Sequence, residues 1–277
     1  LKPASDEPPP AMLSSLGRPT FLQPGCACSG AGVGEVETEW CREEREEVAF
    51  GSGARYTGQW LGDLPDGEGC QVFPDGGTYR GEFRQGKADG LGTFEYSDGS
   101  VYVGPWVHDL AQGEGACTLA DGSLYQGQWE RGKQHGHGTL TFPDGTQYDG
   151  QYRQGAKCGT GTVTYKGDKE GCSYEGGFLD DNFHGQGTYA WVDGRKYEGQ
   201  WRESKMHGHG SFSFADGRKY VGQYENGEKN GRGTYSWPDG RRYEGEVKQG
   251  KQHGRGNFTD SKGQTRSGEW SLGKRVK

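Results

Sequence analysis

Large apolar residues and small or polar ones alternate along most of this chain, in short runs of period two. From Tyr125 to Trp129, Tyr125, Gly127 and Trp129 fall on one side and Gln126 and Gln128 on the other. A glycine-bounded segment, ERGKQHG, follows, and then a second alternating run sets Gly138, Leu140 and Phe142 against Thr139 and Thr141. Period-two alternation predicts β-strands with two unlike faces. The glycine-bounded segment and the PDG that ends the second run predict tight turns, the latter needing a residue that tolerates positive φ. Each such stretch therefore reads as one β-hairpin, joined to the next by another turn.

The hairpin recurs. Tyr56, Tyr79, Tyr102, Tyr125 and Tyr148 are spaced 23 residues apart, and Tyr174, Tyr197, Tyr220 and Tyr243 continue the series after a three-residue insertion near Lys166–Ser173. Counted from each tyrosine, position +2 is always glycine, from Gly58 to Gly268. Position +4 is large and apolar: Trp60, Phe83, Trp106, Trp129, Tyr152, Phe178, Trp201, Tyr224, Val247 and Trp270. Glycines fill +11 and +13, and most units carry Asp-Gly at +19 and +20. Nine full units start at Tyr56. A partial tenth covers 266–277, with Arg266 in the tyrosine position. Phe50 and Gly53 match Phe73 and Gly76 of the next unit, so half a unit precedes the first. Tandem repeats of this length build solenoids or arrays. The expected fold is all-β, an elongated, open, twisted single-layer antiparallel sheet of tandem hairpins over 50–277. Glycine at +2 and +13 lets neighbouring rings lie over the backbone. Residues 1–49 read as a flexible acidic tail, with a short helix over 35–49 whose stripe is Val36, Trp40 and Val48.

Composition agrees. Only 29% of residues are apolar, and 54 of 277 are glycine, against roughly 45% and 7% in ordinary domains. No thick core can form, and aromatic rings, 12% of the chain, must do most of the burying. The net charge is −7, most of it in the first fifty residues. A nearly neutral repeat body argues against nucleic acid as a partner. No apolar run approaches 18 residues and no leader pattern is present. Seven cysteines without a CxxC pair read as reduced thiols of a cytoplasmic protein. A zinc site built from Cys26, Cys28 and Cys41 is the weaker alternative. No cofactor or metal is expected.

The segments YQGQWERGKQHGHGTLTFPDG (125–145), YEGQWRESKMHGHGSFSFADG (197–217) and YVGQYENGEKNGRGTYSWPDG (220–240) closely resemble the MORN repeat (membrane occupation and recognition nexus). The resemblance covers about 56–273. Asp63, Asp109, Asp181 and Ser204 depart from it, replacing the +7 glycine and putting the tightness of those turns in question. It implies a non-enzymatic scaffold or adaptor, cytoplasmic and cytoskeletal, in a ciliary or flagellar axonemal assembly such as the radial-spoke head. A phospholipid-binding adaptor at membrane contact sites is the other reading the family allows.

The candidate chemistry is sparse. His135, His184, His207 and His253 share position +10 with Asp66, Asp89, Gln112, Cys158 and Asn230, a mixture that fits turn hydrogen bonding. His137 and His209, between paired glycines, read as equally structural. The GxG pairs recur in every unit with no helix after them, so they are no dinucleotide fingerprint. A one-layer sheet cannot hide both faces, so Trp60, Trp106, Trp129, Tyr152, Trp201 and Tyr224 are expected to stay partly accessible as a partner-binding groove. Arg195, Lys196, Arg218, Lys219, Arg241 and Arg242 follow consecutive Asp-Gly turns. They form a basic edge, read either as solvated turn charges paired with Glu198 and Glu244 or as a weak dock for anionic lipid. At the C-terminal sheet edge, Lys274, Arg275 and Lys277 either blunt the edge or leave it to pair with another chain.

Overall fold

The computed structural model describes residues 42–277. Residues 1–41 of the expected tail, with Val36, Trp40 and the trio Cys26, Cys28 and Cys41, lie outside the described residues. The described residues are strand and turn throughout, apart from one 3-10 turn at Gly167–Lys169 inside the three-residue insertion. The strands belong to one open antiparallel sheet of 22 strands. Contacts divide the chain into two compact units, one ending at Gln134 and one beginning at His135.

In the first unit, hairpins form from Arg55–Leu61 with Leu64–Val72 and from Thr78–Arg84 with Lys87–Glu95. Val101–Val107 pairs with a strand broken at Gln112 into Leu110–Ala111 and Gly113–Thr118. The segment expected to be helical instead contains a strand, β1 (Glu43–Ala49), which pairs with Arg55–Leu61. A helix here would stack Glu43, Glu44, Glu46 and Glu47 at repelling i,i+3 and i,i+4 spacings. As a strand, the segment instead covers the backbone edge of Arg55–Leu61. The Arg45 guanidinium lies 4.9 Å from the centroid of the Trp60 ring. The Phe50–Ala54 turn closes as its later counterparts do, so the repeat body begins at 43 rather than 50.

In the second unit the same hairpin recurs from Gln147–Arg153 with Ala156–Thr164 to Arg242–Lys248 with Lys251–Thr259. Thr265–Ser271 then pairs with Lys274–Arg275.

Both units use the same three devices. The turn within every hairpin but the first places two successive residues at positive φ, as in Gln85 (49°) and Gly86 (79°), the geometry of a type I′ turn. In the first, between Leu61 and Leu64, Gly62 (62°) has positive φ and Asp63 does not, so that turn differs from the rest. Asp109, Asp181 and Ser204 hold the same conformation at φ 70°, 64° and 59°, so those turns are as tight as the glycine turns. Each offsets the strain with its side chain. Oxygens of Asp109, Asp181 and Ser204 accept the backbone N–H of Ala88, Lys157 and Phe183 in the preceding repeat, at 2.8, 2.8 and 3.1 Å.

The second device is a bulge after the +2 glycine of most first strands. It frees the N–H at +12, and the Gln or Glu at +3 takes it: Gln59 from Glu68 at 3.0 Å, Gln200 from His209 at 2.9 Å.

The third device is the tyrosine. All nine are fully buried, and each donates its hydroxyl to the backbone carbonyl three residues on, at 2.7–3.1 Å. Eight of the rings, those of Tyr56, Tyr79, Tyr102, Tyr148, Tyr174, Tyr197, Tyr220 and Tyr243, lie against the +13 glycine. A Cβ at Gly92 would sit 2.3 Å from the Tyr79 hydroxyl and 2.5 Å from its ring, so only glycine fits.

Candidate functional site

The six aromatic residues assigned to an accessible groove are core residues. Trp60, Trp106, Trp129, Tyr152, Trp201 and Tyr224 are at most 7% exposed. The cause is packing between repeats. Trp106 meets Tyr102 of its own unit edge-on at 5.1 Å and Tyr79 of the preceding unit at 5.3 Å. Trp201 does the same with Tyr197 and Tyr174, at 5.0 and 5.5 Å. Edge-to-face pairs at this separation are favourable beyond their burial. The indole N–H groups of Trp106, Trp129 and Trp201 donate to the carbonyls of Gly92, Gly115 and Gly187 at 3.0–3.2 Å. These rings hold successive hairpins together and offer a partner almost no surface.

Burial sets the ionisation of this layer. It pushes the hydroxyl pKa of the column tyrosines well above the ordinary phenol value. The Cys117 thiol is likewise pushed up to about 12, leaving a packed thiol rather than a nucleophile. Lys229 is the exception among basic groups. Its ammonium lies 4.5–5.6 Å from the rings of Phe212, Phe214, Tyr220 and Tyr235, and burial brings its pKa down to about 8.

The basic edge is exposed, but its arginines are committed. Arg195, Arg218 and Arg241 each bind the aspartate of their own turn, Asp193, Asp216 and Asp239, at 2.7 Å. Their guanidinium groups also lie near Trp191, Phe214 and Trp237. Lys196 pairs with Glu198 at 3.6 Å and Arg242 with Glu244 at 2.9 Å. Five of the six edge residues are thus paired within the chain, and Lys219 forms no ion pair among the described residues.

Position +10 also does what its mixed composition suggested. Asp66, Asp89 and Gln112 accept the backbone N–H of Gln85, His108 and Arg131 in the next turn at 3.1–3.3 Å, and His253 Nδ1 accepts that of Leu272 at 3.5 Å.

The accessible surface with shape lies on the opposite face. In the second unit an open trough of about 950 Å³ is lined by His209, Val221, Arg232, Thr234, Glu244, Glu246, Arg255, Asn257, Ser267, Glu269 and Lys277. Its floor is the bare backbone of Gly222, Gly233, Gly245, Gly256 and Gly268. Side chains built on Gly222 and Gly233 would point at Tyr220, so the glycines that seat the tyrosine on one face leave a smooth floor on the other. The walls come from positions +1, +3, +12 and +14 of successive repeats. Sequence reasoning expected an accessible groove on the aromatic face, where the six rings are buried, and read His209, exposed on the other face, as structural. The signal it passed over was column +12, which runs Glu68, Leu91, Glu114 in the first unit and ends His209, Arg232, Arg255 in the second. All of these are exposed.

Nine consecutive segments, 56–78, 79–101, 102–124, 125–147, 148–167, 174–194, 197–217, 220–241 and 243–265, match the MORN repeat family. The chain belongs to the MORN-repeat family. A MORN array of this kind suggests a protein-interaction or membrane-binding scaffold, and no catalytic family is indicated beside it. Among curated proteins none matches the chain significantly.

Solved structures similar to this MORN protein include the TCP10 domain of Danio rerio CPAP in complex with a peptide of Danio rerio STIL. It is 14% identical, with 84% of this chain and 97% of that one covered and a TM-score of 0.29. The G-box domain of the microcephaly protein CPAP is 13% identical over 83% and 100%, with a TM-score of 0.32. The TCP10c domain of Drosophila melanogaster Sas-4 is 11% identical over 74% and 100%, with a TM-score of 0.26.

Proposed function

We propose that the chain is a non-enzymatic scaffold that holds an extended segment of a partner protein in the trough on its glycine-floored face. The observation that carries this is the trough itself: open, smooth-floored, and walled by side chains of the same four positions in successive repeats. A surface built by repetition suits a partner that runs across the repeats. Column +12, which varies in charge from repeat to repeat, supplies selectivity. The aromatic layer does not contribute contacts; it fixes the spacing at which they are presented. The axonemal setting is supported by the family resemblance, and the test for it is co-sedimentation of the chain with isolated axonemes. The membrane reading has less support in the geometry, because the arginines of the basic edge already bind their own aspartates.

The trough is tested by filling it. Thr234→Trp with Asn257→Trp places two large side chains in the trough, whereas Val192→Trp places one on an exposed turn. Recovery of native partners by quantitative co-isolation should fall with the first variant and stay at the wild-type level with the second. Equal recovery from all three proteins refutes the trough as the binding surface.

A further inference from the structure

The lining of the trough carries as many carboxylates (Glu244, Glu246, Glu269) as permanent cations (Arg232, Arg255, Lys277), but its basic side chains recur with a period, and that period specifies an occupant. His209, Arg232 and Arg255 are exposed at the same position of three successive repeats, each one hairpin from the next. One hairpin is two strands, so their backbones are spaced about 9.6 Å apart across the sheet. The charges around them are unequally committed. Glu246 accepts the backbone N–H of Arg255 at 3.1 Å, and Glu244 pairs with Arg242 at 2.9 Å. Among the described residues neither Arg232 nor Arg255 forms a side-chain ion pair. The trough therefore presents a row of basic side chains at one spacing, while two of the carboxylates that line it are engaged with the protein itself.

A ligand crossing the strands must meet that spacing. A β-strand returns a side chain to the same face every second residue, about 6.7 Å apart, and falls out of step at once. An α-helix has a pitch of about 5.4 Å, and two turns overshoot by more than an ångström at each repeat. A polyproline II segment has three residues per turn and a rise of about 3.1 Å, so every third side chain returns to the same face after about 9.3 Å. That is within a few tenths of an ångström of the repeat. Its backbone is also free of internal hydrogen bonds and narrow enough for a floor that carries no side chains. Resting on the reading of the trough as a partner site, we infer that its occupant is an acidic polyproline II segment bearing a carboxylate at every third residue. The carboxylates would face Arg232, Arg255 and His209 in turn. A flat anionic membrane would bring its headgroups against Glu244, Glu246 and Glu269 as well as the arginines, so the walls select spaced charges over a continuous sheet of them.

The probe is a fluorescein-labelled synthetic peptide of six Glu-Pro-Pro triplets. Its control has the same composition, with the glutamates grouped in adjacent pairs. Fluorescence anisotropy with the full chain should show the triplet peptide binding at least about tenfold more tightly than the control, with affinity falling as salt rises. Arg232→Glu with Arg255→Glu should weaken it by about tenfold or more, and Arg218→Glu, on the turn edge, should leave it unchanged. Circular dichroism checks that the variants remain folded.

Equal binding of the two peptides, or indifference to the double charge reversal, overturns the inference. So does preferential binding of phosphoinositide vesicles or single-stranded RNA through the same arginines, which would make the occupant a lipid or a nucleic acid. If native partners are lost on filling the trough with tryptophan but retained by the double charge reversal, the acidic-ligand inference fails while the trough stands. If neither change affects recovery, both fail.

Discussion

Alkaline pH should unfold this protein abruptly, because its core is built from phenols. The perturbation is a pH titration from neutral to pH 11. Burial holds the column tyrosines above their ordinary pKa in the folded state, whereas in the unfolded chain they titrate near 10. The protonated form is therefore the one that folds. Its contribution is fully present below pH 10 and is lost as the pH rises through and above that value. For each tyrosine the loss is about 0.4 kcal/mol at pH 10 and about 1.4 kcal/mol at pH 11, from the unfolded-state titration alone. Nine fully buried tyrosines raise this to about 4 and about 13 kcal/mol, against a whole-protein stability of roughly 5–15 kcal/mol. The assay follows phenolate absorbance near 295 nm and far-ultraviolet circular dichroism on the same samples. The two signals should stay flat past pH 10 and then change together in a steep step before pH 11. A gradual absorbance rise centred near 10 with unchanged circular dichroism would mean that the rings ionise in place, and the account of the core would be wrong.

Two further outcomes follow from the packing. Gly92→Ala drives a methyl group into the Tyr79 ring and should cost about 3 kcal/mol. Gly99→Ala, at φ 88° with nothing within 4 Å of the new Cβ, should cost about 1 kcal/mol; urea melts that rank the two the other way would refute the seating of the tyrosine. Lys229→Met should stabilise the fold by about 1 kcal/mol at pH 7, after allowance for partial exposure and for the rings that offset the cost of burying the charge. The wild-type amine loses its proton on folding between pH 8 and its unfolded value near 10.4, so wild-type stability rises over that window; the advantage of the variant should shrink by pH 9.5, and an advantage that grows there would refute it.

The repeat register, both turns and the tyrosine-over-glycine seat were legible in the sequence because they are local. Tyr79, Gly81, Phe83 and Gly92 lie within one unit of each other, and their alternation prescribes their faces. The errors came where one repeat meets the next. The exposure expected of Trp106 and Trp201 treated each hairpin as a single layer. In the structure the tyrosine of the preceding unit closes over each indole, and no single repeat contains that contact. The helix expected over 35–49 rested on local propensity, whereas residues 43–49 answer to the open edge of a neighbouring strand. At Asp109, Asp181 and Ser204 the departures from glycine looked like weakened turns. Their side chains instead bond backbone N–H groups one repeat back.

The same division bears on the binding role proposed for the trough. The tyrosine at the start of each unit and the glycines at +2 and +13 are the same in all nine full units, because a tyrosine ring leaves no room for anything but glycine opposite it. Those positions cannot distinguish one repeat from another, so they cannot tell a partner where along the array to bind. Column +12 is under no such constraint. At Glu68, Leu91, Thr160, His209, Arg232 and Arg255 its backbone N–H is satisfied by the Gln or Glu side chain at +3, and the side chain at +12 is exposed. The column runs through Glu68, Leu91, Glu114, His137, Thr160, Gln186, His209, Arg232 and Arg255. An array whose core is identical from repeat to repeat can encode an address only in positions the core does not use. Here that address changes from acidic and apolar in the first unit to basic in the last repeats. Binding specificity should therefore move when residues are exchanged within column +12, for example Glu68 with Arg255, while stability stays within about 0.5 kcal/mol of wild type, as for other exposed substitutions. Pull-down and melting of the exchanged protein separate the two, and a loss of stability without a change of partner would show the column to be structural after all.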